Sequence, residues 1–261
     1  EEAEVAKTKA KALREKNHHI KDLLNGVEKE VTDLLYTIPN VAREIVPAGN
    51  SDEDNQIVSE HPLEINLPEN AKPHWELIKE YDIIDFELGT KVTGAGFPIY
   101  KKAGAKIQRA LIHFFLDKAE RAGYDEIQPP ILVNEASATA TGQLPDKDGQ
   151  MYHATEDNLY LLPTAEIPIT NIFRDTILKE GDLPIKVTAY SPCFRREAGS
   201  WGAHVRGLNR LHQFDKVEIV QIQHPDKSDE SLEEMKNHIA GLLDALELPY
   251  RVLNLCGGDL G

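Results

Sequence analysis

The chain is poor in the residues that build stapled or metal-dependent folds. Its 261 residues contain two cysteines, Cys193 and Cys256. They lie too far apart in sequence for metal-ligand spacing, and two thiols make no disulfide framework. The ten histidines form no HxxxH or mixed Cys/His cluster, so a protein-bound transition metal is not expected. No apolar run approaches the roughly 20 residues that cross a bilayer. The opening EEAEVAKTKAKALREK is charged throughout, unlike a secretion signal. A cytoplasmic protein with no membrane partner is expected. Positive charge is scarce as well: 29 Lys and Arg against 44 Asp and Glu leave a net −15. That balance opposes non-specific nucleic-acid binding, so an RNA partner needs a local basic surface.

Hydrophobic content is 41%, enough for a sizeable core and one accessory element. The cleanest periodicity runs through residues 1–38. Ala3, Ala6, Ala10, Leu13, Asn17, Ile20, Leu24, Val27, Val31, Leu34 and Ile38 follow at spacings of three and four. They form an a/d seam of about five heptads, with Asn17 as a register-fixing polar position. Pro39 stops the helix. Such a seam needs a partner helix. Lys7, Lys9, Arg14, Lys16 and Lys21 flank it, either to touch an RNA backbone or to pair with acids on the partner helix.

Residues 39–72, rich in Pro, Gly, Asn and acids, read as a linker. A short helix follows within 73–90, with Trp75, Ile78 and Tyr81 on one face. Residues 103–122 form an amphipathic helix through Ile107, Leu111, Phe114, Phe115 and Ala119. Gly123 ends it, and a strand is expected from Tyr124 to Leu132. Residues 134–150 read as a loop and Leu159–Leu162 as a strand. Thr164-Ala165-Glu166 then either holds a small polar ligand or caps a helix over 167–179 through Thr164. A helix over 229–247, with Leu232, Met235, Ile239, Leu242, Leu243 and Leu246 as its core face, precedes a strand from Tyr250 to Leu255.

Chemistry concentrates between Pro192 and Val220. Val187, Ala189 and Ser191 alternate with Thr188, Tyr190 and Pro192, and Phe214, Val217, Ile219 and Val220 form a second apolar run. Gly199, Gly202 and Gly207 permit turns between them. The long hairpin so formed carries Arg195, Arg196, Arg206 and Arg210, with Glu197 and Glu218 at the strand ends. Planar guanidinium forks suit phosphate oxygens and remain charged. The plainer reading is a solvated basic hairpin pairing with an acidic surface.

Phe194-Arg195-Arg196-Glu197, followed after a loop by Arg210-Leu211-His212-Gln213-Phe214, resembles motif 2 of class II aminoacyl-tRNA synthetases. Thr164-Ala165-Glu166 and the run 212–218, HQFDKVE, are similar to the seryl-tRNA synthetases among them. Residues 141–145, TGQLP, resemble a family segment near the active site. Residues 123–132, with Pro130, resemble motif 1, which builds the class II dimer interface. The resemblance covers nearly the whole chain and implies an α+β fold. Its class II antiparallel sheet is flanked by helices and preceded by one helix of an N-terminal coiled-coil arm. Residues 1–38 would be the returning helix of that arm, 39–72 a linker and 73–261 a catalytic domain with motifs 1 and 2 but without motif 3. The first arm helix would be missing as well, and a chain so shortened would be inactive alone.

The resemblance also implies roles. Arg195 would hold the α-phosphate of ATP and act as the catalytic residue. ATP would further meet Glu197 at its adenine amino group, Phe214 under its ring, Arg210 at its γ-phosphate, and Leu211, His212 and Gln213. Thr164, Ala165, Glu166, Arg195 and Glu218 would line a serine pocket. Mg2+ would enter bridging the phosphates of ATP, with no metal ligands from this chain. tRNA(Ser) would meet the basic stripe and Arg206, and a second copy would pair through the motif 1 region. Two places depart from the family pattern: Ala203-His204-Val205 at the loop tip, where relatives carry charge, and Arg196, where a small residue is common. A ligase loading a carrier protein and a non-enzymatic binding protein remain as alternatives. The helical arm speaks against the first.

Overall fold

The computed structural model describes residues 2–61, 67–146, 149–197 and 206–260. The loop tip 203–205, with Gly199 and Gly202, lies outside them. The chain divides into two compact units, Glu1–Glu60 with Arg251–Gly261, and His61–Tyr250.

In the first unit, helix α1 spans Glu2–Leu35, and Glu2 and Glu4 in its first turn complement the helix dipole. It ends three residues earlier than the periodicity predicts. Tyr36, Thr37 and Ile38 still donate backward to Thr32, Leu34 and Leu35, but Pro39 disfavours helical geometry at the residue before it. No residue of α1 is buried. Leu13, Ile20 and Val27 of the seam are 59%, 51% and 56% exposed, an apolar stripe of the kind a partner helix covers. The stretch read as a linker contains strand β1, Gln56–Glu60, which pairs antiparallel with the strand Arg251–Asn254. Its cross-strand partner comes from nearly 200 residues later, and no local pattern reports that pairing.

The second unit begins with α2, His74–Glu80, and then β2, Ile84–Asp85. Helix α3, Phe86–Val92, follows, with the Asp85 side chain accepting from the Leu88 N–H at 2.9 Å. The single helix expected within 73–90 is thus two, and Tyr81 is exposed at the break. β3, Ile99–Tyr100, pairs antiparallel with β2. Beside it Lys101 and Lys102 clamp Asp82, whose carboxyl they hold down at about 2. Helix α4, Lys102–Arg121, matches its predicted range to within one residue.

The strand expected from Tyr124 to Leu132 is instead two short ones, β4, Asp125–Glu126, and β5, Leu132–Asn134. The intervening Pro129 and Pro130 have no N–H to give a ladder. Helix α5, Glu135–Ala140, occupies part of the predicted loop, with the Asn134 side chain accepting from the Ser137 N–H at 2.9 Å. The run EASATA is a reasonable helix former once so capped. β6, His153–Ala154, and β7, Leu159–Leu161, complete an antiparallel sheet in the order β5-β7-β6.

Helix α6, Glu166–Asn171, ends eight residues before the expected Lys179. Asn171 Nδ2 donates to the Ile167 carbonyl at 2.9 Å, and the following sequence is rich in residues that leave helices readily. β8, Ile185–Phe194, and β9, Gln213–Ile222, form the predicted hairpin as an unbroken antiparallel ladder from Ile185↔Ile222 to Phe194↔Gln213. β4 adds in parallel on the other side of β8. Helix α7, Ser228–Ala245, follows. Of its predicted core face only Leu242 is buried, while Leu232 and Ile239 are 62% and 46% exposed.

The two larger sheets are stitched at the hairpin's loop end, where the Phe194 N–H donates to the Leu162 carbonyl at 2.8 Å. Leu162 and Ile167, both fully buried, pack with Val133, Ala138 and Met151. Ala165, Ile169, Val187 and Ala189 form the adjoining cluster. The segment 164–166 is therefore held between two cores. Leu162→Ala should cost about 2–5 kcal/mol of stability, read as a lower urea midpoint with an unchanged slope.

Candidate functional site

Alternation along β9 sends Phe214, Lys216 and Glu218 to one face. Their register partners on β8 are Cys193, Ser191 and Ala189, all small and all buried. Burial raises the Cys193 thiol above its ordinary value, which keeps it a neutral part of that floor. On the opposite face the Tyr190 hydroxyl donates to Asp215 Oδ1 at 2.6 Å, and Gln108 of α4 donates to the same carboxylate. Burial and this bond raise the Tyr190 hydroxyl far above the usual phenol range.

At one end of the floor lies Thr164, 5% exposed. Its hydroxyl donates to Glu218 Oε2 at 2.7 Å and accepts from Lys216 Nζ at 3.0 Å and from the Glu166 N–H at 3.2 Å. Lys216 Nζ also reaches Glu218 Oε2 at 2.5 Å. The capping alternative for Thr164 is only partly realised. Its hydroxyl does bond a first-turn N–H, but the position before the helix is Ala165, and no side chain caps it. Ala165 itself is fully buried and Glu166 is exposed.

At the other end, the Arg195 guanidinium lies over the Phe214 ring, 5.2 Å from its centroid. The backbone N–H of Arg195 donates to the His212 carbonyl at 3.0 Å, which extends the ladder by one rung. Glu197, in left-handed backbone geometry at φ 50°, pairs with Arg210 at 2.8 Å. Gln213 is exposed at the mouth of the hairpin. Leu211 is buried and lines, with Ile107, Leu111 and Phe115 of α4, a cavity of about 420 Å³.

His212 is locked from several sides. It stacks on Phe97 at 5.3 Å, its Nδ1 lies 2.6 Å from the Tyr152 hydroxyl, and its N–H donates to the Gly96 carbonyl at 2.9 Å. Gly96 has φ +83°, and a Cβ there would meet His212 Cδ2 at 2.3 Å. Both the backbone sign and the contact require glycine. The arrangement also accounts for Arg196. Its N–H donates to the Gln150 carbonyl at 2.8 Å and its guanidinium lies over the Tyr152 ring at 5.6 Å. A larger residue serves here because it ties the strand end to the 150–152 segment.

Arg206 stands apart from that cluster. Its guanidinium covers Trp75 at 4.9 Å beside a cleft of about 540 Å³ that Asp82, Asp85 and Glu87 also line. Lys7, Lys9, Arg14, Lys16 and Lys21 are all exposed on α1. Sequence reasoning missed Lys216 and Tyr152. Lys216 was discoverable, since the alternation that selects Phe214 and Glu218 selects it too. Tyr152 was not, because its role depends on a contact across 60 residues.

Residues 150–261 match the model of the tRNA synthetase class II core domain (G, H, P, S and T). The chain is 49% identical, over 99% of its length, to a serine–tRNA ligase of Trichlorobacter lovleyi, and 47% identical over its whole length to that of Salinibacter ruber. Along nearly its whole length the chain is similar to seryl-tRNA synthetases. It spans 64% and 61% of those two relatives. A seryl-tRNA synthetase from Pyrococcus horikoshii, solved in complex with ATP, superposes with a TM-score of 0.87 at 31% identity. That match covers 92% of this chain and 58% of that one. The α+β architecture of this chain thus matches that of the solved seryl-tRNA synthetase. No helix of the described residues is long and apolar enough to cross a membrane.

Proposed function

We propose that the protein activates serine with ATP and transfers the seryl group to tRNA(Ser). The observation that carries the reading is the hairpin floor. A guanidinium and an aromatic face meet at one end, and a carboxylate, an ammonium and a hydroxyl meet at the other. An amino acid and a nucleotide lying along one strand would be met by complementary groups at each end. The serine carboxylate attacks the α-phosphorus in line and pyrophosphate leaves. Such a reaction gains mostly from positioning and from donors aimed at charge developing on phosphate oxygens.

Arg195, next to Phe214, holds the α-phosphate, with its backbone fixed by the His212 bond. Phe214 stacks on the adenine. Glu197 accepts from the adenine amino group and Arg210 meets the γ-phosphate. Glu197 and Arg210 pair with each other at 2.8 Å, Arg210 half exposed and Glu197 largely covered, so binding ATP exchanges one partly buried ion pair for two new contacts. His212, Gln213 and Leu211 support the nucleotide side of the strand. Thr164 and Glu218 receive serine's hydroxyl and ammonium, with Glu166 at the rim and the buried Ala165 fixing the backbone between them. Mg2+ travels with ATP as its phosphate complex, a hard ion on oxygen ligands.

The basic stripe on α1 and Arg206 serve as tRNA contacts, and a second copy joins through residues 123–132. The cytoplasm is the proposed compartment. Serine-dependent exchange of radiolabelled pyrophosphate into ATP tests the activation step. Serine-specific exchange supports the reading, and its absence in the complete polypeptide contradicts it.

A further inference from the structure

Lys216 has no part in the roles above, yet it occupies the centre of the amino-acid end. A lysine at a strand's edge ordinarily runs its stem along apolar surface and leaves its head in water. This one turns back over its own strand. Its Nζ lies 2.5 Å from Glu218 Oε2 and 3.0 Å from Thr164 Oγ1. Thr164 donates to that same Oε2 at 2.7 Å, so the other oxygen, Oε1, is used by neither bond. The side chains of Lys216 and Glu218 are 35% and 18% exposed. Ordering a lysine in this way costs rotamer entropy, more than a loose surface pair returns.

The formal charges suggest what the arrangement is for. Lys216 and Glu218 make a neutral pair, and an α-amino acid is a neutral pair of the same two groups. Serine entering as a zwitterion places its ammonium on Glu218 and its carboxylate on Lys216. One internal ion pair becomes two across the interface, and no buried charge is left alone. An analogue with the ammonium but no carboxylate takes Glu218 away from Lys216 and gives Lys216 nothing back.

We propose that Lys216 is a specificity-determining residue that makes the pocket select zwitterionic amino acids over their cationic amides and amino alcohols. The proposal rests on the assignment of Thr164 and Glu218 to the amino acid. Its test is titration calorimetry of L-serine and L-serinamide on the wild-type protein, Lys216→Met and Lys216→Arg. The wild type is expected to bind serine more tightly than serinamide. Lys216→Met should lower the serine-to-serinamide affinity ratio by about tenfold or more, as loss of a close charge pair does. Lys216→Arg, which keeps the charge, should retain most of it.

A ratio unchanged in Lys216→Met overturns the proposal, including the case where both affinities fall together because the residue is merely structural. If the wild type binds serine but does not prefer it to serinamide, the selectivity claim alone fails. If it binds no serine at all, the assignment beneath the proposal fails with it.

Discussion

Arg195→Ala is expected to slow serine-dependent pyrophosphate exchange by about 10²–10³-fold, the usual consequence of removing one donor from developing transition-state charge. The effect should fall on kcat more than on the KM for serine, because the contact strengthens as the α-phosphorus changes geometry. Arg195→Lys should recover only part of the loss, since an ammonium keeps the charge but not the planar bidentate fork. Stability should barely change in either variant. Arg195 is exposed, and what it does for the fold runs through its backbone N–H to the His212 carbonyl, which the substitution leaves in place. An unaltered rate in Arg195→Ala would remove the residue from the reaction.

Glu218→Ala should act at the other end and in the other parameter. The carboxylate receives both the Thr164 hydroxyl and the Lys216 ammonium, so truncation strands two partners in a half-buried place. For a partly exposed pair the loss is discounted to about 2 kcal/mol, or roughly 30-fold in the KM for serine. The KM for ATP should hold, because the adenine and phosphate groups lie along the strand toward Arg195 and Phe214. Steady-state exchange with each substrate varied in turn separates the two effects. Equal rises in both KM values would mean that Glu218 organises the strand rather than the amino acid.

What the sequence made legible follows from how local each feature is. The β8–β9 hairpin was readable because both strands alternate cleanly and are successive in the chain. Thr164 and Glu218 were readable as a pair only through resemblance. Nothing in their spacing of 54 residues says that one hydroxyl will donate to the other's carboxylate. The expected Tyr124–Leu132 strand failed at Pro129 and Pro130, a signal that was present but outweighed by the apolar run around it. Helix α5 was hidden because its cap, Asn134, looks like an ordinary loop residue until the chain turns there. The pairing of β1 with residues 251–254 and the Arg196–Tyr152 and Arg206–Trp75 contacts are tertiary, and no window along the chain contains them. Arg196 shows the cost most clearly: a departure from the family pattern became intelligible once its stacking partner was known.

The central claim is that a single face of β9 receives both substrates, nucleotide at Phe214 and amino acid at Glu218. A crystal structure with a non-hydrolysable seryl-adenylate analogue tests it most directly. The account predicts adenine on the Phe214 ring, the phosphate mimic within hydrogen-bonding distance of the Arg195 guanidinium and the ammonium on Glu218. An analogue bound away from β9, or lying along it with its two ends reversed, would contradict the account.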